Sequence, residues 1–551
     1  MRARRPLASG LLVLPGLAFV LVFFVYPLLG VVLRSFDSQG GIAFPPSHPV
    51  LSNYIEILHD PAYVVVLKNT FVVAALATAI AVAVAYPTCF FMSRLPRRWG
   101  ARLLMLALFP FWTSILVRLY AFTQILPLFG VMYTTTATVI GMVYYLLPYV
   151  IAVLYANMVT IDDDILAAAH TLGANSVQAL RYVFVPLTRS GVFVGAVMAF
   201  VISLGFFLTP AILGAGSDLT IATYIQQQVN IVNWGIASAM GTVLIAITLA
   251  LFFFATRFFG AGELLVLGGT SQKGVARAER MRLTWPVVNS AIVTLLVFIF
   301  LLAPLIVVVF VSFTPTTYLI FPPQGFSLRW YADFFNTPDW IASGWLSVRV
   351  GLLTIVSATA LGLLTAIGLE RSRIRGKQVL RAVFLAPLIV PVILIAVAFY
   401  DFANRLHLAG TLAGYVIGHT LLALPVTVMI VGNALRSIGT ELEDAARTLG
   451  ASRQQAFRMV TAWLITPSLA VSGIFAFVTS WDEPVVALFL STGATTLPVH
   501  IFNYMQSEVR PTVAAIATML MASVLLISAA VHAVGASRRQ KLGAPSGSGQ
   551  A

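Results

Sequence analysis

Four ionisable residues, Arg118, Asp401, Asp482 and Glu483, lie inside long apolar runs of this 551-residue chain. A charge at membrane depth costs about 2.5–3.5 kcal/mol on insertion scales, so each needs a reason to be there. Asp401, Asp482 and Glu483 suit the lining of a path for a cation, and the neighbouring Tyr400 and Trp481 offer aromatic faces that attract cations. The other arrangement open to them is pairing, with one another, with Arg118 or with backbone, which would fix helix packing. Arg118 suits a cation path poorly and takes a gating or packing role. Lys68 and Arg349 lie near the ends of their runs, where a long side chain reaches the interface. His419 and Asp401 have no partners at helical spacing, so an intramembrane enzyme lacks its constellation and no catalytic residue is assigned. No Gly-x-x-x-x-Gly-Lys-Ser/Thr phosphate loop occurs, so ATP chemistry is not expected on this chain. The single cysteine, Cys89, excludes an intrachain disulfide and a cysteine metal centre, and no metal site is assigned.

The elements that hold these residues follow from composition. Hydrophobic residues make up 59% of the chain and charged residues 9%, too few charges to cover a soluble surface of this size. The solvent is therefore mostly lipid. Twelve apolar runs are long enough to span it, near 11–33, 64–92, 103–126, 136–158, 188–212 and 237–259, then 287–311, 342–369, 382–403, 411–434, 464–490 and 512–535. The first run exceeds the core of a cleaved signal peptide and lacks its small-residue cleavage site, so it reads as a span. The net charge of +14 is not a nucleic-acid footprint, because the basic residues sit in short clusters between spans. Of the 33 Lys and Arg, 26 fall on one side of the twelve-span layout, which places both termini in the cytoplasm.

An internal repeat runs through the chain at an offset of 277 residues. It pairs Pro27 with Pro304, Tyr54 with Tyr331, Arg94 with Arg371, Pro110 with Pro387, Pro148 with Pro425 and Gly173 with Gly450. A register held without apparent gaps indicates duplication. The expected fold is an all-α membrane protein of twelve transmembrane helices in two homologous six-helix halves, related by an axis along the membrane normal. The halves are 1–259 and 286–536, joined by a cytoplasmic linker at 260–285 and followed by a cytoplasmic tail at 537–551. The repeated prolines either permit bending between conformations or set symmetric packing kinks.

The densest repeat lies in the cytoplasmic loop after the fourth span of each half. One copy runs from Asp162 to Gly173 and includes Asp164, Ala168 and Ala169; the other runs from Glu441 to Gly450 and includes Asp444, Ala445 and Ala446. Ile165, Ala168, Ala169 and Leu172, and again Leu442, Ala445, Ala446 and Leu449, form apolar stripes at helical spacing. Acidic residues fill the first turn, Thr440 with Glu443 has the capping-box spacing, and the glycine stops each helix. A second short helix follows. Each stripe either packs on this chain or needs a groove on a partner, and its presence in two copies favours the partner.

These loops resemble the signature of ABC-importer permeases: Glu-Ala-Ala, three residues, Gly, nine residues, Ile-x-Leu-Pro. Ala168-Ala169, Gly173 and Val183-x-Val185-Pro186 match it, with Ala167 in place of the glutamate. Asp444-Ala445-Ala446 and Gly450 match in the second copy, where Trp463 stands at the proline position. Phe111-Trp112 through Arg118-Leu-Tyr120, and Trp481-Asp482-Glu483 through Phe489, resemble stretches of two polyamine permease subunits. The resemblance implies a type I importer permease of the bacterial plasma (inner) membrane, for spermidine- or putrescine-like cations. It implies that both loops seat in a separate ABC ATPase, expected as a dimer, and that an extracytoplasmic binding protein delivers the substrate. It implies no cofactor on this chain, with ATP and Mg on the partner. Fused permeases of this layout that import ferric iron or thiamine are the alternative within the family. An ion-gradient-driven secondary transporter is the alternative outside it.

Overall fold

The computed structural model describes residues 10–37, 50–216, 219–259, 285–317, 323–372, 374–507 and 510–523. The expected linker, apart from Trp285, and the expected tail lie outside the described residues. Helices joined by turns and short irregular links account for all that is described, and no strand occurs among those residues. Lipid offers no partner for a backbone N–H, so a spanning chain closes its own hydrogen bonds within helices.

The first half consists of α1 (Leu11–Arg34), α2 (Ser52–His59), α3 (Pro61–Arg94), α4 (Arg97–Phe111), α5 (Ile115–Phe129), α6 (Thr135–Met158), α7 (Asp163–Thr171), α8 (Ser176–Leu204), α9 (Leu208–Leu213), α10 (Ile221–Asn230) and α11 (Trp234–Phe259). The second half repeats the series as α12 (Trp285–Ser312), α13 (Arg329–Asn336), α14 (Pro338–Arg371), α15 (Lys377–Leu388), α16 (Val392–Arg405), α17 (Leu412–Ile438), α18 (Glu441–Thr448), α19 (Arg453–Trp481), α20 (Val485–Leu490), α21 (Leu497–Ser507) and α22 (Thr512–Ser523). Each helix has its counterpart eleven numbers later. Even the left-handed turns recur, at Gly130 and Tyr133 in one half and at His407 and Gly410 in the other.

Nine described helices are long and apolar enough to cross a membrane, or eleven if each of two bent pairs forms one span. The twelfth expected span is described only over α22. The third span of each half is not the continuous helix that its apolar run suggests. It bends by 86° between α4 and α5 and by 94° between α15 and α16. Pro110 and Pro387 lie in short 3₁₀ turns at these breaks, where a residue without an N–H does least harm. Pro148 and Pro425 stay inside α6 and α17. The fifth spans also differ from expectation. They begin earlier, because the second loop helix is the start of α8 and of α19, and they end at Leu204 and Trp481. A break at residues 205–207 and 482–484 then leads into the short α9 and α20.

The first helix of each half packs on the other half, although the end of α1 also meets α11 of its own. Helix α1 packs along α14 and α16, while α12 packs along α3 and α5. The Tyr144 hydroxyl donates to the Leu301 carbonyl at 2.9 Å across this seam. Most of the buried apolar side chains form one cluster that runs through both halves.

Candidate functional site

Two groups of residues stand out, in the two arms (the short helices α7 and α18 with the turns that follow them) and at the breaks. Helix α7 starts with the Asp162 carboxylate accepting the Asp164 N–H at 3.1 Å, a side-chain N-cap. It ends at Gly173, with φ of +91°, and the second arm ends the same way at Gly450, with φ of +94°. The Ala174 N–H reaches back to the Ala169 carbonyl at 3.0 Å and the Ala451 N–H to Ala446 at 3.1 Å, which closes both ends in the Schellman manner. Capping boxes of Asn175 with Gln178 and of Ser452 with Gln455 then start α8 and α19, and a π-turn follows each, at Leu180–Phe184 and Phe457–Thr461. The turn is kept in the second half although Trp463 replaces proline. Pro186 and Trp463 are both exposed.

The Thr440–Glu443 capping box does not form. The Thr440 side chain makes no cap bond, and Glu443 turns instead to Arg371 at 3.1 Å and accepts from the Thr461 hydroxyl. A buried guanidinium outbids a backbone N–H for the carboxylate, since charge-assisted bonds are the stronger kind. Glu441 and Asp444 stay exposed at the start of α18, with Asp444 paired to Arg447 at 3.1 Å. No residue of α18 is buried. Ala168 and Ala445 are exposed, Ala169 and Ala446 half-buried, and Ile165 and Leu442 exposed. Leu172 is 89% exposed and its counterpart Leu449 90% exposed. Tyr182 and Met459, also counterparts, extend each apolar face. Each arm therefore presents the same greasy edge to the outside.

The breaks of one half meet those of the other. The Asp482 carboxylate accepts the Ile115 N–H at 2.9 Å and lies 3.9 Å from Arg118, so α5 of the first half is tied to the end of α19 in the second. The Arg118 side chain is 3% exposed and Asp482 24% exposed, and the Arg118 Nη1 is buried without a partner. Tyr145 lies under the guanidinium at 5.8 Å, with the Tyr149 hydroxyl 3.3 Å from its own. At the equivalent contact Gly205 meets Pro391, and a methyl on Gly205 would stand 2.2 Å from the proline Cβ. One junction is polar and the other is tight and apolar.

Glu483 accepts the N–H groups of Val485 and Val486 at 2.7 and 2.9 Å, which caps α20. Trp481 stacks on Phe477, with centroids 5.5 Å apart. Asp401 stands away from this group. It pairs with Arg34 at 2.8 Å and Arg405 at 3.2 Å, and Arg34 lies over the Trp234 ring at 5.1 Å. Two guanidiniums around one carboxylate leave no anion to attract a cation, so its arrangement is that of a tie between α1 and α16. Asp401→Asn should therefore destabilise the fold by about 2 kcal/mol, because Arg34 is left desolvated beside a weaker acceptor. Thermal unfolding in detergent reads the loss, and substrate preference should stay unchanged.

Spacing alone did not single out Gln124, the counterpart of Asp401. It lines a cavity of about 580 Å³ with Thr123, Met132, Tyr133, Met505 and Gln506, between the first half's α5 and the second half's α21. The repeat marks the position, since a carboxylate in one half answers to an amide in the other.

Comparison with known proteins bears on the whole arrangement. The family model described as "Binding-protein-dependent transport system inner membrane component" matches residues 73–261 and again 358–540. The spermidine/putrescine transport system permease protein PotB of Escherichia coli is 30% identical over 259 residues, 43% of this chain and 94% of its own. PotB of Haemophilus influenzae is 31% identical over 43% of this chain and 90% of its own. The putrescine transport system permease protein PotI of Escherichia coli is 29% identical over 44% of this chain and 90% of its own. A chain of a bacterial ABC transporter involved in alginate import aligns with a TM-score of 0.37 and 18% identity, over 45% of this chain and 94% of its own. Each relative accounts for about one half of this chain, and the family model occurs once per half. The chain therefore belongs to the binding-protein-dependent inner membrane transport components, as a multi-pass ABC-importer permease subunit that carries the family's unit twice.

Proposed function

We propose that this chain forms the membrane pathway of an importer for polyamine-like organic cations. A separate ATPase dimer drives it from the cytoplasm, binding ATP and Mg on its own subunits, and an extracytoplasmic binding protein supplies the cargo. Both termini face the cytoplasm, as do α7 and α18, which seat in one ATPase subunit each. The observation that carries this reading is the matched pair of outward-facing leucines, Leu172 and Leu449, on helices with no buried face of their own. Closure of the ATPase dimer moves the arms, the continuous α8 and α19 relay the motion, and the paired breaks open and close the path. The polar junction is the gate. Arg118 holds Asp482 across the halves when it is shut, and a cationic substrate competes for the carboxylate when it opens. The names of the relatives support the cargo, and ferric iron and thiamine are the alternative cargoes.

The test is uptake of labelled spermidine and putrescine into proteoliposomes that hold this chain with its ATPase and binding protein. Uptake should require ATP on the arm side and should fall to background without either partner. Uptake by the chain alone on an ion gradient would overturn the reading in favour of a secondary transporter. ATP-dependent uptake of ferric iron or thiamine in place of polyamines would overturn the cargo only.

A further inference from the structure

The inner end of the second half carries a charge cluster that the first half does not repeat. Glu370, nearly buried at the end of α14, receives Arg381 of α15 through both carboxylate oxygens, at 2.8 and 2.9 Å. Arg436 of α17 donates to the same group at 2.8 Å. Its chain neighbour Arg371 holds Glu443 of the arm, and Glu443 accepts from Thr461 at the start of α19. Three helices, α15, α17 and α18, thus meet α14 at two adjacent residues, and α19 joins through Glu443. The counterparts of Glu370, Arg381 and Arg436 are Ser93, Leu104 and Val159, which carry no charge. The counterparts of Glu443 and Thr461 are Leu166 and Phe184.

The path through this cluster is continuous. It begins at α18, which the proposed function seats in the ATPase. It crosses Glu443 and Arg371 to α14, steps one residue to Glu370, and crosses Arg381 to α15. Helix α15 is the inner limb of the bent third span, and its far end leads through Pro387 to Pro391, which packs against Gly205. The carboxylates and Arg371 are largely shielded while Arg381 is 38% exposed, and such charge pairs transmit a push because their partners stay together when one helix is displaced. An apolar contact lets helices slide.

We propose that Glu370 is a positioning residue that couples the second arm to the bent span α15–α16, so that the second half drives the Gly205–Pro391 junction through a rigid ionic strut. The inference rests on the arms being the ATPase contact. The first half has Ser93 and Leu166 where the second has Glu370 and Glu443, so this carboxylate strut is particular to the second half and makes the two halves unequal transmitters of one stroke.

The experiment uses the whole transporter in proteoliposomes and reads substrate imported per ATP hydrolysed, alongside the ATPase retained by the purified chain. Glu370→Gln and Arg371→Gln should each lower the ratio by about fivefold, with ATPase retention unchanged. The double variant should be no worse than the weaker single variant, because both cut one series path. Glu370→Asp should recover part of the ratio. If Glu370→Gln fails to accumulate, Arg381→Gln, at a more exposed position, cuts the same link and is read in its place. An unchanged ratio, strictly additive losses, or a loss of ATPase retention would each overturn the strut. The arm reading fails on a different result, namely full ATPase retention after the exposed arm leucines are replaced.

Discussion

Replacing Leu172 and Leu449 together by aspartate should weaken ATPase binding by about 100-fold or more and abolish uptake, while the chain itself folds normally. Each leucine is almost fully exposed, so its replacement disturbs no packing within the chain. Burying one leucine in a partner groove contributes about 1.5–3 kcal/mol, and two matched grooves are lost together. Each aspartate also brings a charge that the groove must desolvate. The single variants should be intermediate, since one arm still holds. Copurification of the ATPase with the tagged chain measures the effect. Undiminished retention by the double variant would remove the basis for placing the motor at these helices.

The second large effect is expected deep inside. Gly205→Ala should cut uptake by more than about tenfold while ATPase retention stays at the level of the unaltered chain. The added methyl would lie 2.2 Å from Pro391 Cβ, 2.7 Å from its Cγ and 3.2 Å from its Cα. A proline ring is rigid, so the two breaks must move apart, and overpacking of this kind costs about 1–3 kcal/mol. The polar junction provides the contrast. Asp482→Asn keeps an acceptor for the Ile115 N–H and removes the charge 3.9 Å from Arg118, so it should cost less stability than Asp401→Asn, whose ion pair is closer, and loosen the closed state. Uptake of Gly205→Ala at the unaltered rate would show that this contact is mere filling.

The repeat is where the sequence was most legible. A single offset pairs the boundaries of α3 with α14, α8 with α19 and α9 with α20, because the duplicated halves kept their turns as well as their apolar faces. The helices of the arms and their glycine ends could be read from the sequence, since acidic first turns, alanine stripes and a terminal glycine are local features. The breaks could not. Pro110 and Pro148 look alike in an apolar run, yet one sits at an 86° bend and the other inside a continuous helix, and only neighbouring elements decide between them. The intramembrane charges show the same limit. Asp401 and Asp482 both sit in apolar runs, but the first lies between two arginines while the second bridges the halves, and both partnerships span long sequence separations. Glu443 has the spacing of a capping residue and serves Arg371 instead, because its competitor comes from another helix.

The exchange of first helices has a consequence for synthesis. Helix α1 leaves the ribosome about 300 residues ahead of α14, so at ~5–20 residues per second it waits roughly 15–60 s in the bilayer for the surface it will cover. The half-finished molecule must idle with that seam open to lipid or to an insertion factor. Joining both halves on one message ensures that the awaited surface always arrives, in equal number and beside its mate. A frameshift or truncation after the first half should therefore yield a protein that inserts yet is degraded.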